Sequence, residues 1–150
     1  MLSMRSWANV RPLVLACGLW IAAASDMPVL ADAEEDSGLQ IFTRATQDWM
    51  AADAIGLRYR GVLDARLAEE LAGLLIGTQP AFRHVVLELD SEGGDLEAVQ
   101  RISGVLKAAR KTAELTTRVM GGGTCASGCI AVFMQGEKRK ASGASVWVFH

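Results

Sequence analysis

Histidine is scarce in this 150-residue chain, with only His84 and His150 present, and cysteine occurs three times. No Cys-x-x-Cys or His-x-x-x-His spacing occurs, so the common metal-ligand frameworks are missing and no metal or cofactor is expected. Basic clusters are equally sparse. With 15 basic against 17 acidic residues, a net charge of −2 and no basic run beyond "EKRK" at 137–140, the chain lacks the electrostatic footprint of a nucleic-acid binder. That short run reads as a solvated turn. No internal repeat or low-complexity segment is present. What the composition does supply is 51% hydrophobic residues with 21% charge, enough to build one domain's core and to exclude a wholly disordered chain.

The N-terminus carries an apolar segment. "MLSMRSWANVR" is a short basic region, and "PLVLACGLWIAAA", residues 12–24, has the length of a signal-peptide core and is short for a bilayer span. Small residues follow at Val29 and Ala31, or Ala31 and Ala33, in the positions a signal peptidase requires. Residues 1–31 are therefore read as a signal peptide, 32–38 as an acidic linker and 39–150 as the domain, giving an exported, periplasmic protein. The alternatives are an uncleaved segment anchoring the chain to a membrane and a lipoprotein through Cys17, the weaker one because "VLAC" has leucine where a small residue is usual. Export removes Cys17 and leaves an even pair, Cys125 and Cys129, in an oxidising compartment. The leading reading of that pair is a disulfide, with two packed thiols or a metal site as the others. Bridging residues four apart is borderline inside regular helix, and an irregular helix start eases it.

Along the remaining chain, "LQIFTRA" (39–45) and "LRYRGVL" (57–63) read as short strands. Asp64 is a good N-cap for a helix over 65–77 in which Leu67, Leu71, Leu74 and Leu75 recur at helical spacing, with Gly77 as its stop. "HVVLELD" (84–90) is a buried-type strand. From Asp95, the spacing of Leu96, Val99, Ile102, Val105 and Leu106 predicts a second amphipathic helix ending near Lys111. A strand over 114–120, a third helix over 127–135 and a closing strand over 144–150 complete the pattern. Alternating strands and helices predict an α/β fold with a largely parallel sheet. His84 reads as a surface or strand-end residue, and Met120 and Met134 as core first and pocket-lining second. Trp147 and Phe149 are expected to pack on one face of the last strand, with Val146 and Val148 on the other.

Two glycine-rich turns, "DSEGGD" and "GGGTCASG", end consecutive strands, where ligands of open α/β sheets bind. Each taken alone reads as a tight turn needing positive φ. Together they face one crevice, and each leads into a helix start whose unpaired N–H groups favour a developing negative charge. Between the two cysteines of the second turn sits Ser127, an N-cap, a packing compromise or a nucleophile.

"LDSEGGDLEAV" resembles the strand–turn–helix motif of the proteolytic subunit of Clp protease. "TCASGCIAVFMQGEKRKASGASVWVFH" resembles its nucleophile helix, following loop and histidine strand. The similarity is greatest to an exported, uncharacterised branch with cysteines around the serine, and it covers roughly residues 57–150. It implies stacked ββα units of the Clp and crotonase superfamily, with the C-terminal part of the domain and the third triad member lying beyond this chain. By position, Ser127 falls on the family's nucleophile, His150 on its general base, and Gly94 and Gly128 on its two oxyanion-hole donors. Glu92 stands where the family commonly has proline, bringing an anion near the oxyanion site. The resemblance implies a serine peptidase or acyl hydrolase acting on a peptide or acyl substrate, assembled as a homo-oligomer. The alternatives are a catalytically inactive binding module of the same fold and a truncated product without activity.

Overall fold

The computed structural model describes residues 37–44, 46–47, 50–76 and 82–149. The signal segment, the stop at Gly77 and His150 lie outside the described residues. The order is β1 (Gly38–Phe42), β2 (Ala54–Arg60), α1 (Ala65–Leu75), β3 (His84–Asp90), α2 (Leu96–Ala109), β4 (Glu114–Val119), β5 (Thr124–Ala126), α3 (Gly128–Phe133), β6 (Lys138–Ala141) and β7 (Val146–Val148). The main sheet runs β1-β2-β3-β4-β6, antiparallel between β1 and β2 and parallel elsewhere. Strands β5 and β7 form a separate parallel pair. This is the expected α/β class with a mostly parallel sheet. Among the described residues no helix is long and apolar enough to cross a membrane.

Pleating sorts the side chains of the sheet. Ile55, Leu57 and Tyr59 of β2, Val85, Leu87 and Leu89 of β3, and Leu115 and Val119 of β4 join one core with Leu67 and Leu71 of α1 and Val99, Ile102 and Leu106 of α2. The alternate residues carry charge: Arg58, Glu88 and Arg118 lie side by side in register across the other face. Glu88 is buried there between two guanidiniums, accepting from Arg58 Nε at 2.6 Å and from Arg118. Both long helices begin as expected. Asp64 Oδ1 accepts the Leu67 N–H at 2.9 Å, and Asp95 Oδ1 the Ala98 N–H at 2.8 Å; each such cap stabilises its helix by about 1 kcal/mol.

Several expectations need correction. Strand β2 starts three residues before the expected 57–63 and stops at Arg60, because Gly61 takes φ 121° and turns the chain. "EKRK" is no mere turn, since Lys138–Ala141 is the edge strand β6 paired with β4. All four residues are exposed, so hydrophobic periodicity had nothing to register. The expected third helix over 127–135 is shorter, Gly128–Phe133, and β5 precedes it inside the glycine turn. Leu96 is 72% exposed. It sits in the first turn of α2, before the helix reaches the core. Trp147 does pack, edge-on to Phe133 with ring centroids 4.8 Å apart, but Phe149 is 75% exposed. Met120 and Met134 are exposed rather than core. His84 opens β3 as expected, with Nδ1 3.7 Å from Glu114. The Lys138 ammonium, hydrogen-bonded to Glu114, holds that carboxyl below the usual range.

Candidate active site

Parallel pairing of β3 and β4 puts the turns that follow them side by side. Where each strand leaves the main sheet, the chain crosses into a second set of pairings. Ser91 bridges Cys125, its N–H donating to Thr124 O at 2.7 Å and its carbonyl accepting from Ala126 N at 3.0 Å. Leu63 bridges Gly94, with Leu63 N donating to Gly93 O at 2.8 Å. Asp90 reinforces the junction by accepting the Thr124 N–H at 2.8 Å.

The first turn is shaped by a serine and two glycines. Ser91 Oγ accepts the Gly93 N–H at 3.0 Å, a local turn of the kind serine hydroxyls make. Gly93 has φ 105°, where a side chain would be strained. A Cβ on Gly94 would collide with the Leu63 carbonyl. With Gly93 N–H engaged, Gly94 N–H is the next donor of the turn. It makes no hydrogen bond among the described residues.

In the second turn the chain passes from β5 to α3 at a single residue. Ser127 has φ 50° and ψ −122° and is the sole non-glycine residue with positive φ among those described. Such a backbone costs of order 1–3 kcal/mol and clusters at functional sites. A serine on a strained strand-to-helix turn is the geometry of a nucleophile elbow. Its hydroxyl makes no hydrogen bond among the described residues, so the N-cap reading fails: the residue occupies the cap position without capping. Its N–H donates to Val148 O at 3.1 Å. Gly128 opens α3, and its N–H makes no hydrogen bond among the described residues, as expected for the first residue of a helix.

The two turns touch. A Cβ on Gly93 would lie 3.0 Å from Ser127 Cβ and 3.1 Å from Gly128 N, and one on Gly128 would lie 3.6 Å from Gly94 N. Ser127, Gly94 and Gly128 are therefore brought together. Cys125 and Cys129 are joined as a disulfide across the same turn, Cα atoms 5.3 Å apart and both side chains fully buried. Glu92 is exposed. Sequence reasoning missed Gly93 and Ser91, although serine two residues before a glycine is a recognisable turn signal. It also missed Tyr59, whose hydroxyl donates to Val62 O and pins the chain just before Leu63 meets Gly93. Burial pushes the Tyr59 phenol up, with the Asp64 and Glu70 carboxylates adding to the shift.

A separate cavity of about 250 Å³ lies at the carboxyl ends of β2, β3 and β4, lined by Arg58, Arg60, Glu88, Asp90, Met120 and residues of the glycine turn. Its guanidiniums are paired within it, Arg58 with Glu88 and Arg60 with Asp90.

No protein-family model and no curated protein matches the chain. Among solved structures it is similar to ClpP1 from Listeria monocytogenes, with a TM-score of 0.54 and 19% identity over 61% of this chain and 54% of that one. A point mutant of ClpP1 from the same organism gives a TM-score of 0.56 and 19% identity over 63% and 55%. A protein designated an enoyl-CoA hydratase from Mycobacterium avium paratuberculosis gives 0.52 and 18% over 73% and 49%. The chain spans about half the length of each. Similarity at this level of identity speaks to architecture, and on it the chain has a ClpP/crotonase-like fold.

Proposed function

We propose that this chain is an exported Clp-like serine peptidase or acyl hydrolase with Ser127 as nucleophile, His150 as general base, and the Gly94 and Gly128 N–H groups as the oxyanion hole. The observation that carries the reading is the backbone of Ser127. Glycine is the default residue at positive φ, so a serine held there, beside two unengaged N–H groups, spends stability to present a hydroxyl. A second observation supports the base. The parallel register pairs Ala126 with Val148, so β7 ends beside Ser127, and His150 follows two residues later in the sequence.

In this mechanism Ser127 Oγ attacks a carbonyl carbon while His150 takes the hydroxyl proton. The oxyanion that forms accepts from Gly94 N–H and Gly128 N–H, a contribution for which one donor is typically worth about 10²–10³ in rate. His150 then gives its proton to the leaving amine or alcohol, and water resolves the acyl-enzyme by the reverse path. Activated aryl esters, whose phenol leaves as the acyl-enzyme forms, should therefore report on the site.

A fluorophosphonate probe tests this directly. Wild-type protein is expected to be labelled, and neither Ser127→Ala nor His150→Ala, with all three equally folded. Loss should be non-additive, because residues acting as one unit fail together. A folded wild type that resists the probe overturns the hydrolase reading. Acyl-thioester binding abolished by substitution of Gly94 would then put the binding module in its place. Export is tested by intact mass: a secreted product starting after Ala31 or Ala33 supports it, and one retaining Met1 sinks it.

A further inference from the structure

We propose that the Cys125–Cys129 disulfide is the positioning element of Ser127, a covalent brace that holds the serine's strained backbone and makes the site more reactive in its oxidised form. The inference rests on the reading of Ser127 as the nucleophile. Its starting observation is symmetry: the cysteines lie two residues to either side of the serine, with Cα atoms 5.3 Å apart. Five extended residues span roughly 13 Å between their outer Cα atoms. Thr124–Ala126 is extended in β5 and Gly128–Phe133 is helical in α3, so the whole reversal falls on Ser127.

An off-region backbone persists only when its surroundings over-determine it. Here the other restraints are non-covalent: Gly93 packs against the Ser127 Cβ, and Ala126 is tied to Ser91 and to β7. Ser127 donates one backbone hydrogen bond to Val148 O and accepts one from Ile130 N at 3.0 Å, and no side chain caps α3. A helix of six residues has little stability of its own. The bridge, by contrast, is anchored on both sides, since Cys125 and Cys129 are buried in the main core with Val132 and Phe133.

Opening it does more than cut a tether. A dithiol reductant supplies two electrons and two protons, the S–S bond breaks to two thiols, and the reductant closes to its own disulfide. The freed sulfurs then require a non-bonded separation of roughly 3.5 Å or more. That lifts the constraint on the separation of Cys125 and Cys129, two residues to either side of Ser127, and leaves its backbone free to relax to negative φ. Because both sulfurs are buried, the reductant gains access only through local opening of α3.

The test compares oxidised protein, protein reduced and refolded under reductant, and the Cys125→Ala/Cys129→Ala double variant. Two quantities are read: the fluorophosphonate labelling rate, and the ¹³Cα and ¹³Cβ resonances of Ser127, which report the sign of its φ. Without the bridge, labelling should slow by about tenfold or more, the population factor for releasing strain of this size. The Ser127 resonances should leave the positive-φ range while those of Leu57 and Leu87 stay in place, and reoxidation should restore both readouts. Should the double variant fail to fold, the reduced wild type, which keeps both side chains, carries the comparison. Ser127 resonances unchanged on loss of the bridge overturn the proposal. So does collapse of the Leu57 and Leu87 signals on reduction, which would make the bridge a support of the whole fold. Oxidised protein with positive-φ resonances but no labelling defeats the catalytic reading alone, and the carbon shifts still decide the brace.

Discussion

Gly93 packs against Ser127 so closely that a Cβ on the glycine would come within 3.0 Å of the serine's own Cβ. The contact joins the turn after β3 to the turn after β5. Neither turn is shaped independently of the other.

Gly93→Ala is therefore expected to lower stability by about 2 kcal/mol, combining the positive-φ penalty with the crowding of Ser127 and Gly128. Gly104 is the control. It lies in α2 with open space where a Cβ would go, so Gly104→Ala should raise stability by about 0.5–1 kcal/mol. Urea denaturation of the two variants should move the midpoint in opposite directions. A Gly93→Ala variant as stable as wild type would mean that the turns do not meet as described.

How much of this was legible beforehand differs from element to element. Strand β3 is legible over 84–90 because an apolar run is bounded by a polar turn, and the helix starts at Asp64 and Asp95 carry their cap residues openly. The edge strand β6 is not, since Lys138–Ala141 is strand only by pairing with β4. Pairing is a tertiary fact that no local pattern records. For the site, the glycines and the serine were visible as a motif, but the φ of Ser127 and the engagement of Gly93 N–H by Ser91 Oγ depend on how two distant turns pack.

Tyr59 gives a pH-dependent outcome. Its pKa is raised in the folded chain by burial first and by Asp64 and Glu70 next. The folded state thus keeps the phenol proton at a pH where the unfolded chain has lost it. The associated stability is full below the ordinary phenol value of about 10 and is lost as pH rises from there toward the higher folded value. Stability measured from pH 9 to 11 should fall more steeply for wild type than for Tyr59→Phe. At pH 7 the same variant should lose about 1 kcal/mol with the hydrogen bond to Val62 O. Parallel slopes for the two proteins would contradict the assignment.

Glu88 tests the charged face of the sheet. Its side chain is 3% exposed and shared by Arg58 and Arg118, so Glu88→Ala leaves two guanidiniums facing one another without their carboxylate. Breaking a fully buried pair from one side costs about 3–5 kcal/mol, and the loss here should fall below that because solvent reaches Arg58. The Glu88→Ala/Arg118→Ala double variant should cost less than the sum of its singles, since the residues act as one network. Strict additivity in a denaturation cycle would show that the pair is not coupled.

The most discriminating substitution is Ser127→Gly. Replacing the residue with one that accepts φ 50° without penalty should relieve about 1–3 kcal/mol of backbone strain. The greater freedom of glycine in the unfolded chain returns about 0.5–1 kcal/mol of that. The net expectation is a protein more stable than wild type, by up to about 2.5 kcal/mol, and unreactive toward a fluorophosphonate. Ser127→Ala, which keeps a Cβ and therefore the strain, should be equally unreactive but no more stable. The comparison separates hydroxyl from backbone, because both variants lose the first and only one relaxes the second. A Ser127→Gly midpoint below that of Ser127→Ala, at equal dependence on urea, would remove the strain on which the case for a nucleophile at this position rests.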